Sequence, residues 1–295
     1  MDQEMERDDN WKIESFGEVA RVYGKKYVLL LLPALVFLGV FFLVPLLIVV
    51  ADSIRSSEGE GIFFNYFAFF KDHVSRTAYL RSIRIGLWVT GLSAIISYPT
   101  ALAIASMSNR TLKTVFMTLM VLPLMTNPVA RTFAWLAVLG RYGLLNNLLL
   151  SAKIIEEPIR MLYTEGAVLI GLLQLFMPMM ILSITSALEN IPEDLILVAK
   201  SLGASGFQTF VRVTFPLSVE GLIIGGTLVF TGSITAYVTP AILGGSRVLM
   251  LSTLLYQKAA VVLDWDMATT IAVMMFLTTL LINAGLRFIG KVGRK

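Results

Sequence analysis

Hydrophobic positions in this chain gather into long unbroken runs rather than short amphipathic stripes. Charge-free segments cover 27–51, 85–107, 114–130, 166–188, 221–246 and 267–286, and most reach the roughly 20 residues that a helix needs to cross hydrocarbon. The third run is the shortest, but beyond Arg131 it continues as TFAWLAVLG and crosses if the arginine is accommodated. The pattern predicts an all-α integral membrane protein with six transmembrane helices, because in lipid a helix satisfies its own backbone. An even number of crossings puts both termini on one side, together with the turn at 108–113 and a charged segment around 189–218. Longer stretches at 52–82, 140–165 and 247–266 fall on the other side.

Composition agrees with this reading. Of 295 residues 56% are hydrophobic and 15% charged, too few polar side chains to clothe a soluble domain of this size. The net charge of +4 comes from residues scattered along the membrane flanks, which suits lipid headgroups and excludes a nucleic-acid-binding face. With no cysteine and a single histidine, His73, neither thiolate nor histidine-cluster metal sites are available. The polar stretch 1–26 is too long for a signal peptide's charged leader, so it is expected to be a retained tail, with 27–290 as the membrane domain and 291–295 as a second tail. Lys25/Lys26 and Lys291/Arg294/Lys295 flank the outermost runs and favour cytoplasmic termini.

Prolines at 33, 45, 99, 123, 128 and 178 interrupt the runs. In a membrane they are tolerated where neighbouring helices re-satisfy the freed carbonyls. Gly221 and Gly225 form a small-xxx-small pair that reads as close helix packing. GIFFNYFAFFKDHV is rich in aromatic residues and is expected to lie in the interface as a short helix before the second crossing.

The segment EDLILVAKSLGASGFQTFVRVTFPLS, residues 193–218, differs from its surroundings. Leu195, Val198, Ala199 and Leu202 recur at helical spacing, and Glu193 and Asp194 sit where a helix N-terminus favours negative charge. Gly203 suits a left-handed residue after a helix end, Ser205 is placed to cap a second helix, and Pro216 opens the next one. Lipid physics alone does not require such a hinge, so it is expected to serve a partner at the cytoplasmic surface.

This hinge resembles the cytoplasmic loop of permease subunits in type I binding-protein-dependent ABC importers, whose motif reads E-A-A, three residues, G, nine residues, I-x-L-P. Ala199, Gly203 and Pro216 match in register, Val213 is a conservative replacement, and Leu197 and Val198 replace the motif's glutamate and first alanine. LPLMTNPVARTFAW and EEPIRMLYTEGAVLIGLLQLFMPMMILSI extend the similarity, over about 80–290, to the spermidine/putrescine branch. The resemblance implies the type I importer transmembrane fold, with a coupling loop at 189–216. It also implies a second and homologous permease, two ATPase subunits that bind ATP and magnesium, and a periplasmic solute-binding protein. The chain has no G-x-x-x-x-G-K-[ST] phosphate loop of its own, so it is expected to hold no cofactor and to be no enzyme. Ala199, Lys200, Leu202, Gly203, Ala204, Ser205, Phe207 and Pro216 are its candidate coupling residues.

For the pathway or gate the candidates are Asn127, Arg131, Trp135, Tyr237, Asp264 and Asp266. Arg131 is costly on a lipid face and should point into the bundle or to the interface, as a gate or a structural hydrogen-bond donor rather than a contact for a cationic substrate. No spanning helix is expected to carry an aspartate or glutamate at its centre, which leaves cation recognition to a binding protein, to the faces of Trp135 and Tyr237, or to Asp264 and Asp266. Each of these also reads as an interface anchor or solvated charge. A polyamine is the leading substrate class, with other amines, opines, aminoalkylphosphonates or carboxylates as alternatives. A secondary transporter would need intramembrane ion ligands, and a membrane enzyme would need a catalytic cluster.

Overall fold

In lipid the backbone dictates helices, and residues 31–55 and 63–292, which the computed structural model describes, contain no strand. The tail over 1–26 and the basic clusters Lys25/Lys26 and Lys291/Arg294/Lys295 lie outside the described side chains. Six stretches are long and apolar enough to cross a membrane. Helix α1 (Leu31–Ile54) is followed by the short α2 (Phe64–Lys71), which forms where the aromatic segment predicts it. Next come α3 (His73–Ala105), α4 (Arg110–Met125), α5 (Pro128–Leu139), α6 (Leu144–Ser151) and α7 (Glu165–Glu189). Helices α8 (Glu193–Ser201), α9 (Gly206–Thr235), α10 (Leu251–Tyr256) and α11 (Trp265–Val292) complete the chain.

Several boundaries differ from those predicted. Helix α3 begins twelve residues before the second run and takes in Arg76, Arg81 and Arg84. The third run is divided, because Pro128 has no N–H to continue α4 and Asn127 starts α5 instead. The fifth helix begins at Gly206 and ends at Thr235, so 236–246 are not part of it. Those residues form an irregular return with a π-helical turn at Pro240–Gly244, held by Tyr163 N–H donating to the Leu243 carbonyl at 2.8 Å. The last helix runs on through Val292, past the boundary expected at 290.

Helices α3, α7 and α9 form the centre of the bundle; α11 packs on α9, and α1 packs on α11. Ile85, Val89, Leu172, Met180, Ile184 and Val229 are fully or almost fully buried between them. Apolar side chains gain little by leaving lipid for one another, so close packing and interhelical hydrogen bonds hold the bundle. On α9, a Cβ at Gly221 would stand 2.6 Å from the Ser183 carbonyl oxygen and from Ala187 Cβ, and one at Gly225 would meet Met180 Sδ at 2.6 Å. The small-xxx-small pair therefore sets the spacing of α7 and α9, as predicted. Tyr98 and Ser218 join α3 to α9 at 2.7 Å, Asn283 donates to Thr231 at 2.9 Å from α11 to α9, and Tyr79 meets Thr278 at 3.0 Å.

At the end of the bundle where α7 finishes, Lys113 pairs with Glu189 at 2.8 Å and donates to the Ala105 carbonyl at 3.3 Å, tying α3, α4 and α7 together. At the opposite end Arg81 donates to Glu165 at 2.9 Å and to the Leu249 carbonyl at 3.1 Å, and Arg84 shares the same carboxylate. Two arginines that the charge pattern assigns to the loop side of the second crossing are thus neutralised between α3 and α7.

Gly221→Leu is expected to destabilise the folded protein by about 1–3 kcal/mol through overpacking, whereas Gly226→Ala, whose nearest neighbour is 3.6 Å away, should change little. Thermal unfolding of both variants in detergent measures the difference; equal midpoints would contradict the glycine contact.

Candidate functional site

The antiparallel contact of α7 and α9 decides where the intervening segment sits. Gly221 lies beside Ser183, Ile184 and Ala187, only a turn or so before α7 ends at Glu189. At 1.5 Å per residue, the part of α9 before Gly221 runs roughly 15 Å beyond that end. The hinge is carried there, clear of the bundle.

Within it, α8 has Glu193 and Asp194 in its first turn and Lys200 in its last, each sign complementing the helix dipole. Ala204 N–H donates to the Ala199 carbonyl at 3.1 Å and Gly203 N–H to that of Lys200 at 2.9 Å, closing the helix. Gly203 has φ +84°, and a Cβ placed on it would meet nothing within 4 Å, so the turn needs its conformation and not its small size. Ser205 then caps α9: its hydroxyl accepts from Gln208 N–H at 3.3 Å, and Gln208 Oε1 accepts from Ser205 N–H at 2.9 Å. The Ser-x-x-Gln spacing of this capping box was available in the sequence, and Gln208 belongs among the residues that shape the loop. Pro216 lies in the first turn of the α-helical stretch Phe215–Thr235, which continues α9 after a π-helical turn over Phe210–Thr214.

The apolar stripe of α8 faces away from the chain. Ile196 packs inward against the core, and Ala199 is half-buried. Leu195, Val198 and Leu202 are exposed, with Leu202 at 83% and Phe207, across the glycine turn, at 76%. Leu197, in the position of the motif's glutamate, is 58% exposed. Between the two helices lies a shallow cleft of about 280 Å³ whose walls include Ala199, Leu202, Gly203, Gln208 and Arg212. Beneath α8 a larger cavity of about 1060 Å³ is lined by Arg110, Lys113, Met117, Glu189, Glu193 and Ile196. Chemically the hinge offers an exposed apolar knob on a rigid, capped turn, with no nucleophile or acid–base pair.

The pathway candidates fall into local groups. Asn127 Oδ1 accepts from Val129 N–H at 2.8 Å and caps α5. Arg131 Nη1 donates to the Pro123 carbonyl at 2.5 Å, which also accepts from Thr126 Oγ1 at 2.7 Å. The arginine thus adds a charged donor to a carbonyl at the helix break that Thr126 N–H also reaches at 3.3 Å. On the same helix, Trp135 Nε1 reaches Gln174 Oε1 on α7 at 3.4 Å. Tyr237 stacks on Tyr256 with ring centres 4.6 Å apart. Asp264 accepts from Lys258 at 3.1 Å and from Met267 N–H at 3.1 Å, capping α11, and Asp266 lies in that helix's first turn. Among the described residues no three His, Cys, Asp or Glu side chains gather as metal ligands. Because α9 starts at Gly206, Glu220 lies within a spanning helix after all, beside a cleft lined by Ser183, Ser186 and Asn190. The charge-free runs concealed it by ending at that residue.

Six crossings around a tightly packed centre, with a helical hairpin projecting from one end, define a multi-pass membrane subunit built to engage another component. The chain belongs to the family of binding-protein-dependent transport system inner membrane components, which it matches over residues 95–292. It is 31% identical over 242 residues to the spermidine/putrescine transport system permease protein PotB of Haemophilus influenzae, covering 79% of this chain and 83% of that protein. PotB of Escherichia coli K12 is 30% identical over 186 residues, 63% of this chain and 67% of the relative. A subunit in the crystal structure of a bacterial alginate ABC transporter, in complex with an alginate pentasaccharide-bound periplasmic protein, shares the fold. Its TM-score is 0.72 at 17% identity, over 95% of this chain and 98% of that one. The chain is thus a permease subunit of an ABC importer, an inner-membrane transport component and not an enzyme.

If Arg131 holds the helix break, Arg131→Met should lower stability by about 1.5–3 kcal/mol and Asn127→Ala by about 0.5–2 kcal/mol. Unfolding midpoints in detergent give both values. An unchanged midpoint for Arg131→Met together with lost transport would assign the arginine to gating instead.

Proposed function

We propose that this subunit forms one half of the translocation pathway of a polyamine importer, beside a second, homologous permease. A periplasmic binding protein delivers the solute, and two ATPase subunits on the cytoplasmic side hold the ATP and magnesium. Both termini and the 189–216 loop are cytoplasmic in this reading, with 1–26 and the last few residues as tails around the membrane domain. The observation that carries it is the projecting hairpin, whose exposed Leu202 and Phe207 flank a left-handed Gly203. Exposed apolar side chains on a rigid turn suit insertion into a groove of a soluble partner, where a few such anchors supply most of the binding energy. Leu197 and Val198, both exposed, extend the same apolar surface, so contact that a glutamate would make by charge is made here by burial.

Because α8 is tied through Ile196 to the core and lies over the cavity edged by Lys113 and Glu189, displacement of the hairpin by the ATPases is transmitted to α4 and α7. Polyamine as substrate class is supported by the similarity to the two spermidine/putrescine permeases.

Two measurements test the reading. Gly203→Asp should leave the protein in the membrane while abolishing solute uptake, and Phe207→Ala should weaken co-purification with the ATPase by about tenfold or more. Wild-type uptake by the glycine variant would exclude the coupling role. In proteoliposomes, polyamine-loaded binding protein should stimulate ATP hydrolysis; stimulation only by a different loaded solute, such as a carboxylate or an aminoalkylphosphonate, would replace the substrate class and leave the coupling role intact.

A further inference from the structure

At the end of the bundle opposite the hairpin, α1 leans on α11 and the short α2 lies across both. The three elements enclose a groove of about 620 Å³ whose walls include Val50 and Ile54 of α1, Phe67 and Phe70 of α2, and Val273 and Phe276 of α11. That volume is in the range of about 300–1,000 Å³ usual for small-molecule sites. The single polar side chain in the wall, Tyr66, turns its hydroxyl to Ser53 Oγ at 2.9 Å, so the surface left open is hydrocarbon and aromatic ring. It opens on the outside of two spanning helices, at the depth where α1 ends. Within this chain helix α1 is lightly seated: over the described residues Ser53 is its one buried side chain, and most of its apolar side chains are exposed.

The rim carries positive charge. Lys71 is four positions from Phe67 on α2 and therefore on the same face of that helix. Arg55 follows Ile54 at the end of α1, and its carbonyl accepts from Asn65 Nδ2 at 3.1 Å, which brings it to the start of α2. Both cations are exposed, and neither has an ion-pair partner among the described residues. The nearby acids are turned to other uses. Asp72 caps α3, accepting from the Ser75 hydroxyl at 2.7 Å and its N–H at 2.9 Å, which holds its carboxyl below the usual carboxylate range. Asp52 is two positions from both Val50 and Ile54 and so projects from the opposite side of α1.

We propose that this groove binds one phospholipid, an acyl chain lying between α1, α2 and α11 and an anionic headgroup meeting Lys71 and Arg55. The lipid fills the wedge under the interface helix and completes the packing of α1. The occupant follows from the site's chemistry: the space is apolar, lies on the outside of spanning helices of this chain, and is edged by two exposed cations that attract an anionic group by opposite charge.

The test uses the permease purified with its partner chains in detergent and offered dioleoyl phosphatidylglycerol or dioleoyl phosphatidylcholine, with retained lipid read by native mass spectrometry. One lipid per permease chain is expected, with phosphatidylglycerol preferred by about fivefold or more. Val273→Trp, which fills the groove, should remove retention of both lipids. Arg55→Gln combined with Lys71→Gln should keep retention and abolish the preference. Equal retention by the filled variant, or equal retention of the two lipids by the parent, would overturn the assignment. Because a tryptophan can disturb folding, a spin label at Phe67→Cys, in a chain with no other cysteine, gives a second reading in membranes. Accessibility to oxygen but not to a polar nickel complex supports a lipid in the groove; cross-linking of that position to the second permease would show a protein face there and sink the proposal.

Discussion

The contact between α7 and α9 is the constraint on which the rest of the molecule depends. Inside a bilayer, two apolar helices gain no hydrophobic free energy by meeting, so the association rests on how closely their backbones approach. Gly221 and Gly225 allow an approach that a methyl group at either position would prevent, with Ser183, Ala187 and Met180 filling the space a Cβ would take. Once the two helices are fixed in register and antiparallel, the chain between them has few choices. Helix α7 ends near the level of Gly221 while α9 is only half complete, and the remainder of α9 carries the hairpin away from the bundle. The projection of the hairpin is thus a consequence of packing inside the bundle.

Rigidity also requires that no backbone group be left open in lipid, and the helix interruptions show how this is met. At the break between α4 and α5, Asn127 accepts from the Val129 N–H of α5 while Arg131 and Thr126 both donate to the Pro123 carbonyl of α4. At the glycine turn, Ser205 and Gln208 cap each other's backbone. Where α9 carries its π-helical turn, Phe210 and Phe215 gather with Tyr98 of α3, ring centres about 6 Å apart, and Tyr98 also reaches Ser218. The widest irregularity in α9 is therefore clamped to a neighbouring helix at the base of the hairpin. A force on Phe207 would pass into α3 there, besides passing through α8 into α4 and α7.

Hydrophobic runs made the six crossings legible, and the helix signals of the hinge were legible nearly residue by residue, because capping and left-handed glycine are local effects that do not depend on the rest of the fold. Boundaries were less so, in part because charge was taken as the edge of the membrane helix. Arg81 and Arg84 sit inside α3 and both pair with Glu165, 84 residues beyond Arg81, a partnership no local pattern displays. Glu220 lies in α9 because that helix begins outside the bundle. The direction of the α8 stripe was also hidden. Periodicity identified Leu195, Val198 and Leu202 as one face, but only the fold reveals that Ile196 takes the inward position and leaves that face open.

That open face bears on how a cationic solute would be handled. Several carboxylates at the ends of the spanning helices are engaged within the chain: Glu165 by two arginines, Glu189 by Lys113, Asp264 by Lys258 and by the start of α11. Breaking any of these pairs to bind a passing amine would leave a cation of the protein unpaired close to the membrane, at a cost that grows with its burial. A pathway that bound its solute in this way would also release it slowly, and transport needs release. In the proposed reading, selection by charge is made before the solute reaches the membrane, and this subunit would supply a passage of low affinity. The scarcity of uncommitted acids, which at first argues against a cationic substrate, is then what a low-affinity passage for such a substrate requires.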